Sequence, residues 1–200
     1  MRRLISALLI SIVIISTPVQ AMPYGITSPK VQTAIKQKKF KLKKMRVGKT
    51  ILIYDSKISK KHIKFIKKSI TMMPKNVQKS AKKVYFLRKK YFKMSVNNTF
   101  PKMTVGYAIL DDYREIYLHD RSNLSALQHT LWHEFGHTFD SRIKTFGSSK
   151  TKKWVAILKK EYPHFDKEEE YFADIFADFI EFITEPENKF IASLIYKKGK

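Results

Sequence analysis

An α+β fold built on a small mixed sheet is what this 200-residue sequence predicts, and three observations carry that expectation. Short runs rich in Val, Ile, Tyr and Phe punctuate the first 120 residues. Two of them, 104–110 and 115–119, are joined by the turn-forming Asp111 and Asp112 and read as a strand pair. Immediately after them a proline-free stretch places apolar residues at Leu124, Leu127, Leu131, Phe135 and Phe139, which is helical periodicity.

In chain order, residues 1–21 read as an export signal: Arg2 and Arg3, an apolar run over 4–15, then Val19-Gln20-Ala21 as a small-residue cleavage site. The apolar run is about half the length of a membrane-spanning helix, so a secreted protein is expected, with residues 22–200 forming one domain. Helices are expected over 28–39 and 59–73 and strands over 50–54 and 84–88, followed by the strand pair. A helix over 122–142, opened by Ser122 as N-cap, comes next, and further helices are expected over 149–161, 167–183 and 187–196.

The long helix carries His133-Glu134-Phe135-Gly136-His137. Residues four apart share a helix face, so His133 and His137 can aim two ring nitrogens at one metal ion, the pattern of a catalytic zinc site. Glu134 then stands beside the ion without binding it, where a carboxylate can accept a proton from a water that the metal has acidified. His129 lies on the same face, but eight residues at about 1.5 Å each put it roughly 12 Å along the axis from His137, too far for bonds of about 2.1 Å to a shared ion. It is expected outside the ligand shell. The chain has no cysteine, which leaves imidazole and carboxylate to hold a metal.

A third ligand is sought in Glu168-Glu169-Glu170-Tyr171-Phe172-Ala173-Asp174. Phe172, Ile175, Phe176, Phe179 and Ile183 form one helical stripe, and Glu170 faces away from it, on the side of Ala173 and Ala177, where a second helix could approach closely. Glu170 is therefore the expected ligand, with Asp174 one turn later as acceptor for a ligating imidazole. Glu168 and Glu169 fall nearer the stripe and suit the first turn of a helix dipole. Asp140, one turn after His137, could orient that ring or end the helix.

These residues resemble the anthrax lethal-factor-like (ATLF) metallopeptidases, a gluzincin family that includes secreted Pro-Pro endopeptidases. The resemblance rests on Trp132 to His137 and on Glu170 to Phe176, and extends over 104–182. It implies a zincin fold with a C-terminal helical part, one zinc held by His133, His137 and Glu170, and Glu134 as general base and then acid. A strand at the sheet edge would pair with an extended peptide substrate, and either of the two strands over 104–119 is a candidate. The family also places a tyrosine seven residues before the ligand glutamate, to stabilise the oxyanion. That position is Pro163 here, leaving Tyr162, one residue off, or His164 for the role. The family pattern often has Glu where Asp174 stands, and the metzincin alternative fails because Asp140 and Ile143 replace its Gly and His.

The net charge of +23 is unevenly spread. Residues 22–103 hold 24 Lys or Arg against Asp55 alone, whereas 104–200 hold 14 against 16 acids. So basic a half in an exported protein is suited to an anionic cell-wall polymer or an acidic membrane surface. Nucleic acid is not the expected ligand, and a monomer is expected. The reading that competes with a zinc endopeptidase acting on peptide or protein substrates is a non-catalytic cationic binding protein on the same scaffold.

Overall fold

The structure is a computed structural model and describes residues 41–95, 105–110, 114–121, 123–142, 152–161, 168–178 and 186–196. The export signal, the helix expected over 28–39, Ser122, Phe179, Ile183, Tyr162, Pro163 and His164 lie outside the described residues.

Five strands form one mixed sheet: β1 (Leu42–Val47), β2 (Thr50–Asp55), β3 (Lys83–Leu87), β4 (Gly106–Ile109) and β5 (Glu115–His119), in the order β1-β2-β3-β5-β4. β2, β3 and β5 run parallel in the middle, and β1 and β4 are antiparallel at the two edges. β1 follows directly into β2, and the turn needs Gly48, whose φ of 57° is left-handed. A Cβ there would also lie 1.9 Å from Gln78 Oε1, which accepts from the Lys49 amide at 3.1 Å.

Alternation along the strands sends side chains to opposite faces. Val84, Phe86, Ile116 and Leu118 point into the main core, and Tyr85, Leu87 and Tyr117 point into a smaller cluster with Phe92, Tyr107 and Ile109. The helices are α1 (Lys60–Met72), α2 (Lys75–Gln78), α3 (Lys89–Ser95), α4 (Leu124–Arg142), α5 (Lys152–Glu161), α6 (Glu168–Asp178) and α7 (Pro186–Ile195). α3 brings Phe92 to the smaller cluster, while α1 and α4 share the main core face, α1 toward β1 and α4 toward β4 and β5. Trp132 Nε1 donates to Ser69 O at 3.2 Å and ties α4 to α1.

The expected elements fall close to the observed ones, with Ser59 capping α1 through the His62 amide. Asn123 accepts from the Ala126 amide at the start of α4. Three elements were not foreseen. β1 alternates poorly because Lys43, Lys44 and Arg46 interrupt its apolar residues, and α2 and α3 are too short to show a period.

The edge strand that matters for the site is β4. Its register is held by a ladder of rings: Tyr85 stacks on Tyr117 at 4.5 Å and Tyr107 on Tyr117 at 4.7 Å, nearly parallel in both cases. These spacings match the distance of about 4.8 Å between neighbouring strands, so the three tyrosines sit side by side across β3, β5 and β4. Tyr117 in turn donates to the buried Glu115 at 2.5 Å, whose other oxygen pairs with Lys83 at 2.7 Å.

Candidate metal centre

α4 enters the core as a helix with almost no exposed side from Leu131 to Asp140. A helix that buries polar residues within such a run must satisfy them from neighbours. α6 supplies the partners. It crosses α4 closely because Gly136 has no side chain: a Cβ there would lie 3.0 Å from Ala173 Cα and 3.1 Å from Phe176 Cβ. The small residues on both sides, Gly136 and Ala173, let carboxylates of α6 reach the histidines of α4.

The result is a ladder of three rungs in which α4 and α6 are matched turn for turn in opposite directions. His129 Nε2 lies 3.2 Å from Asp178 Oδ1, an exposed pair. His133 Nδ1 donates to Asp174 Oδ1 at 2.7 Å. His137 Nε2 lies 3.6 Å from Glu170 Oε1, while Glu170 Oε2 reaches across to His133 Nε2 at 3.4 Å. The two Nε2 atoms are 3.0 Å apart. Three donor atoms, one each from His133, His137 and Glu170, thus converge and could hold a metal ion.

Electrostatics points the same way. Burial disfavours a charged His133, but hydrogen bonds to Asp174 and Glu170 and the nearby Glu134 outweigh it and raise its pKa to about 10. Burial would likewise raise Glu170, yet His133 and His137 hold it down at about 2. A positive charge between the carboxylates is therefore favoured at this point, and a cation bound by neutral imidazoles would fill the same role.

Glu134 is the exception to the pairing. Its residue is 1 % exposed, and neither carboxylate oxygen has a hydrogen-bond partner among the described residues. Burial, with Glu170 and Asp174 adding to it and His133 opposing, pushes its pKa up to about 8. The carboxylate sits under the start of β4: a Cβ on Gly106 would lie 3.1 Å from Glu134 Oε1 and 2.7 Å from Thr130 Cγ2. Glycine at 106 thus lets the edge strand run directly over the acid.

Every metal-ligating residue expected from the sequence is brought to this point, and His129 stands outside it. Of the two candidate strands, β4 is the edge and β5 is interior. Asp140 does not end the helix, which continues to Arg142, and it is buried. Tyr162 and His164 fall outside the described residues. The rung of His129 with Asp178 and the close approach at Gly106 were missed. The i, i+4, i+8 spacing of the histidines against Glu170, Asp174 and Asp178 could have revealed the first. No protein-family model matches the chain, and no curated protein sequence matches it.

Proposed function

We propose that this protein is a secreted zinc-dependent endopeptidase of the zincin type, with His133, His137 and Glu170 as the ligands and Glu134 as the acid-base group. The observation that carries the reading is the convergence of two imidazoles and one carboxylate beside a buried carboxylate that has no hydrogen-bond partner. Two ligands each about 2.1 Å from a tetrahedral zinc ion are about 3.4 Å apart. The two Nε2 atoms are 3.0 Å apart, each lies 3.4 to 3.6 Å from one of the two Glu170 oxygens, and one donor atom from each residue can be chosen so that all three lie within 4.8 Å of one another. Two nitrogens and one oxygen form a catalytic set, which keeps a position for water or substrate. When bound, zinc would supply polarisation of the scissile carbonyl and acidification of water.

The chain's own residues would perform the remaining steps. β4, the edge strand among the described residues, can pair with an extended peptide backbone and present a carbonyl above Glu134. Glu134 takes a proton from the attacking water and returns one to the leaving nitrogen, so that water adds across the peptide bond and an acid and an amine leave. Burial raises the Glu134 carboxyl above its usual range in the metal-free site, and a buried carboxyl of this kind is suited to holding and returning a proton. Proline-rich extracellular proteins as substrates rest on the family resemblance alone.

Digestion of a peptide library by the zinc-loaded protein, with and without chelator, tests the reading and reports specificity at once. Cleavage that stops on chelation and returns with zinc is expected. A loaded, folded protein that cuts no peptide, or one that cuts equally well in excess chelator, would sink it.

Asp174 fixes the ring of His133 by accepting from Nδ1, which leaves Nε2 for the metal. Asp174→Ala is accordingly expected to weaken zinc binding about 10- to 100-fold. Competition with a chromophoric chelator measures it, and unchanged affinity would remove Asp174 from the site.

A further inference from the structure

The described part of the basic half, residues 41–95, holds 19 Lys or Arg and a single acid. That acid, Asp55, is buried and bound to Arg88 at 2.7 Å, so it offers nothing to the surface charge. Eight of the remaining basic residues lie on two adjoining elements at one end of the sheet. β1 is the edge strand opposite β4, and it exposes Lys43, Lys44 and Arg46. α1 lies against β1 and exposes Lys60, Lys61, Lys64, Lys67 and Lys68 as one stripe, while Ile66, Ser69 and Ile70 face the core.

Two ordinary explanations fall short. Lysines on an edge strand discourage pairing with other chains, which accounts for β1 but not for a helix. A merely solvated helix face mixes both signs, whereas α1 carries no acid, and its lysines repel one another at i, i+3 and i, i+4. Lys60 and Lys61 also oppose the helix dipole in the first turn. Each of these penalties is relieved by an anion laid along the stripe.

The type of anion follows from the side chains. Lysine is a compact, hydrated point charge without the fork of arginine, and it suits diffuse contact with a phosphate better than bidentate recognition. A bilayer would be gripped by apolar residues as well, but among the described residues the exposed large hydrophobics are only Met72 and Tyr196. A single-stranded nucleic acid would seek exposed aromatic rings for its bases, and α1 and β1 offer none.

We propose that the β1 edge and the lysine stripe of α1 form a docking surface for a flexible, base-free phosphodiester polymer, such as a poly(glycerol phosphate). Five strands at about 4.8 Å spacing put β1 roughly 19 Å from β4, so a protein docked in this way keeps the β4 edge and the metal centre free.

The test is retention of the purified protein on immobilised poly(glycerol phosphate) over a series of salt concentrations. About five neutralised phosphates predict a slope of log K against log salt of roughly −3 to −4. The triple variant Lys60→Gln, Lys64→Gln, Lys67→Gln should weaken binding at least tenfold at low salt and flatten the slope by about 2, with the melting temperature equal to or above that of wild type and zinc content unchanged. A second variant, Lys43→Gln, Lys44→Gln, Arg46→Gln, decides the matter if the first fails to fold. Retention without salt dependence, no retention at low salt, or wild-type binding by both folded variants would overturn the proposal. Tighter binding to phosphatidylglycerol vesicles, or to an oligonucleotide of equal charge count, would overturn the choice of polymer.

Discussion

Glu134→Ala is expected to lower peptide hydrolysis at least about 10²- to 10⁴-fold while the protein still binds one zinc ion. The carboxylate is not among the three converging donors, so its removal takes away the proton carrier and leaves the ligands in place. Kinetics on a cleaved library peptide and metal analysis of the same sample check both halves. Loss of zinc from this variant would contradict the assigned role. A side effect is expected as well: Glu134→Gln should make the metal-free protein melt higher than wild type. The wild-type carboxylate is buried with no hydrogen-bond partner among the described residues, and burying an unpaired charge, or holding it neutral, costs more than burying an amide. An acid kept at the expense of stability is what a working site requires.

The second large effect is expected at α6. Glu170→Ala should lower zinc affinity by orders of magnitude, because two imidazoles alone would remain. Glu169→Ala is the control. Its side chain leaves the helix about 100° away from that of Glu170 and does not belong to the converging set. Bound zinc after dialysis separates the two variants, with full occupancy expected for Glu169→Ala and near-complete loss for Glu170→Ala. The reverse pattern would mean that the register of α6 against α4 is wrong.

How far the sequence was legible depends on how local each signal is. The facing of His133 and His137 needs only helical geometry, and the choice of Glu170 over Glu169 needs only the phase of Phe172, Ile175 and Phe176 around a second helix. Both are properties of single elements, and the structure brings these residues together. Sheet order was not readable. That β4 is an edge and β5 an interior strand depends on β3 pairing with β5, a contact between segments 32 residues apart with no local signature. The role of Gly106 is hidden for the same reason, since its want of a side chain matters only once β4 lies over Glu134. β1 was missed because its lysines look like a solvated loop until β2 is placed beside it.

The aromatic packing around Trp154 has a consequence for how the C-terminal part is held. Trp154 of α5 is fully buried and meets Tyr171 and Phe172 of α6 and Phe190 of α7, with ring centroids 5.5 to 6.1 Å apart. The last three described helices thus meet in one aromatic cluster within the main core, and α6 packs on α4 along the line of Gly136, Ala173 and Phe176. A metal ion gripped by His133, His137 and Glu170 would act across that line as a cross-link closes a loop, restricting the unfolded chain as well as fastening the folded one. Occupancy would then be a mechanical matter as much as a chemical one. Without the ion, α4 and α6 would be held together by the close packing at Gly136 and by pairs such as His133 with Asp174, so metal binding would add to the stability of that join rather than create it.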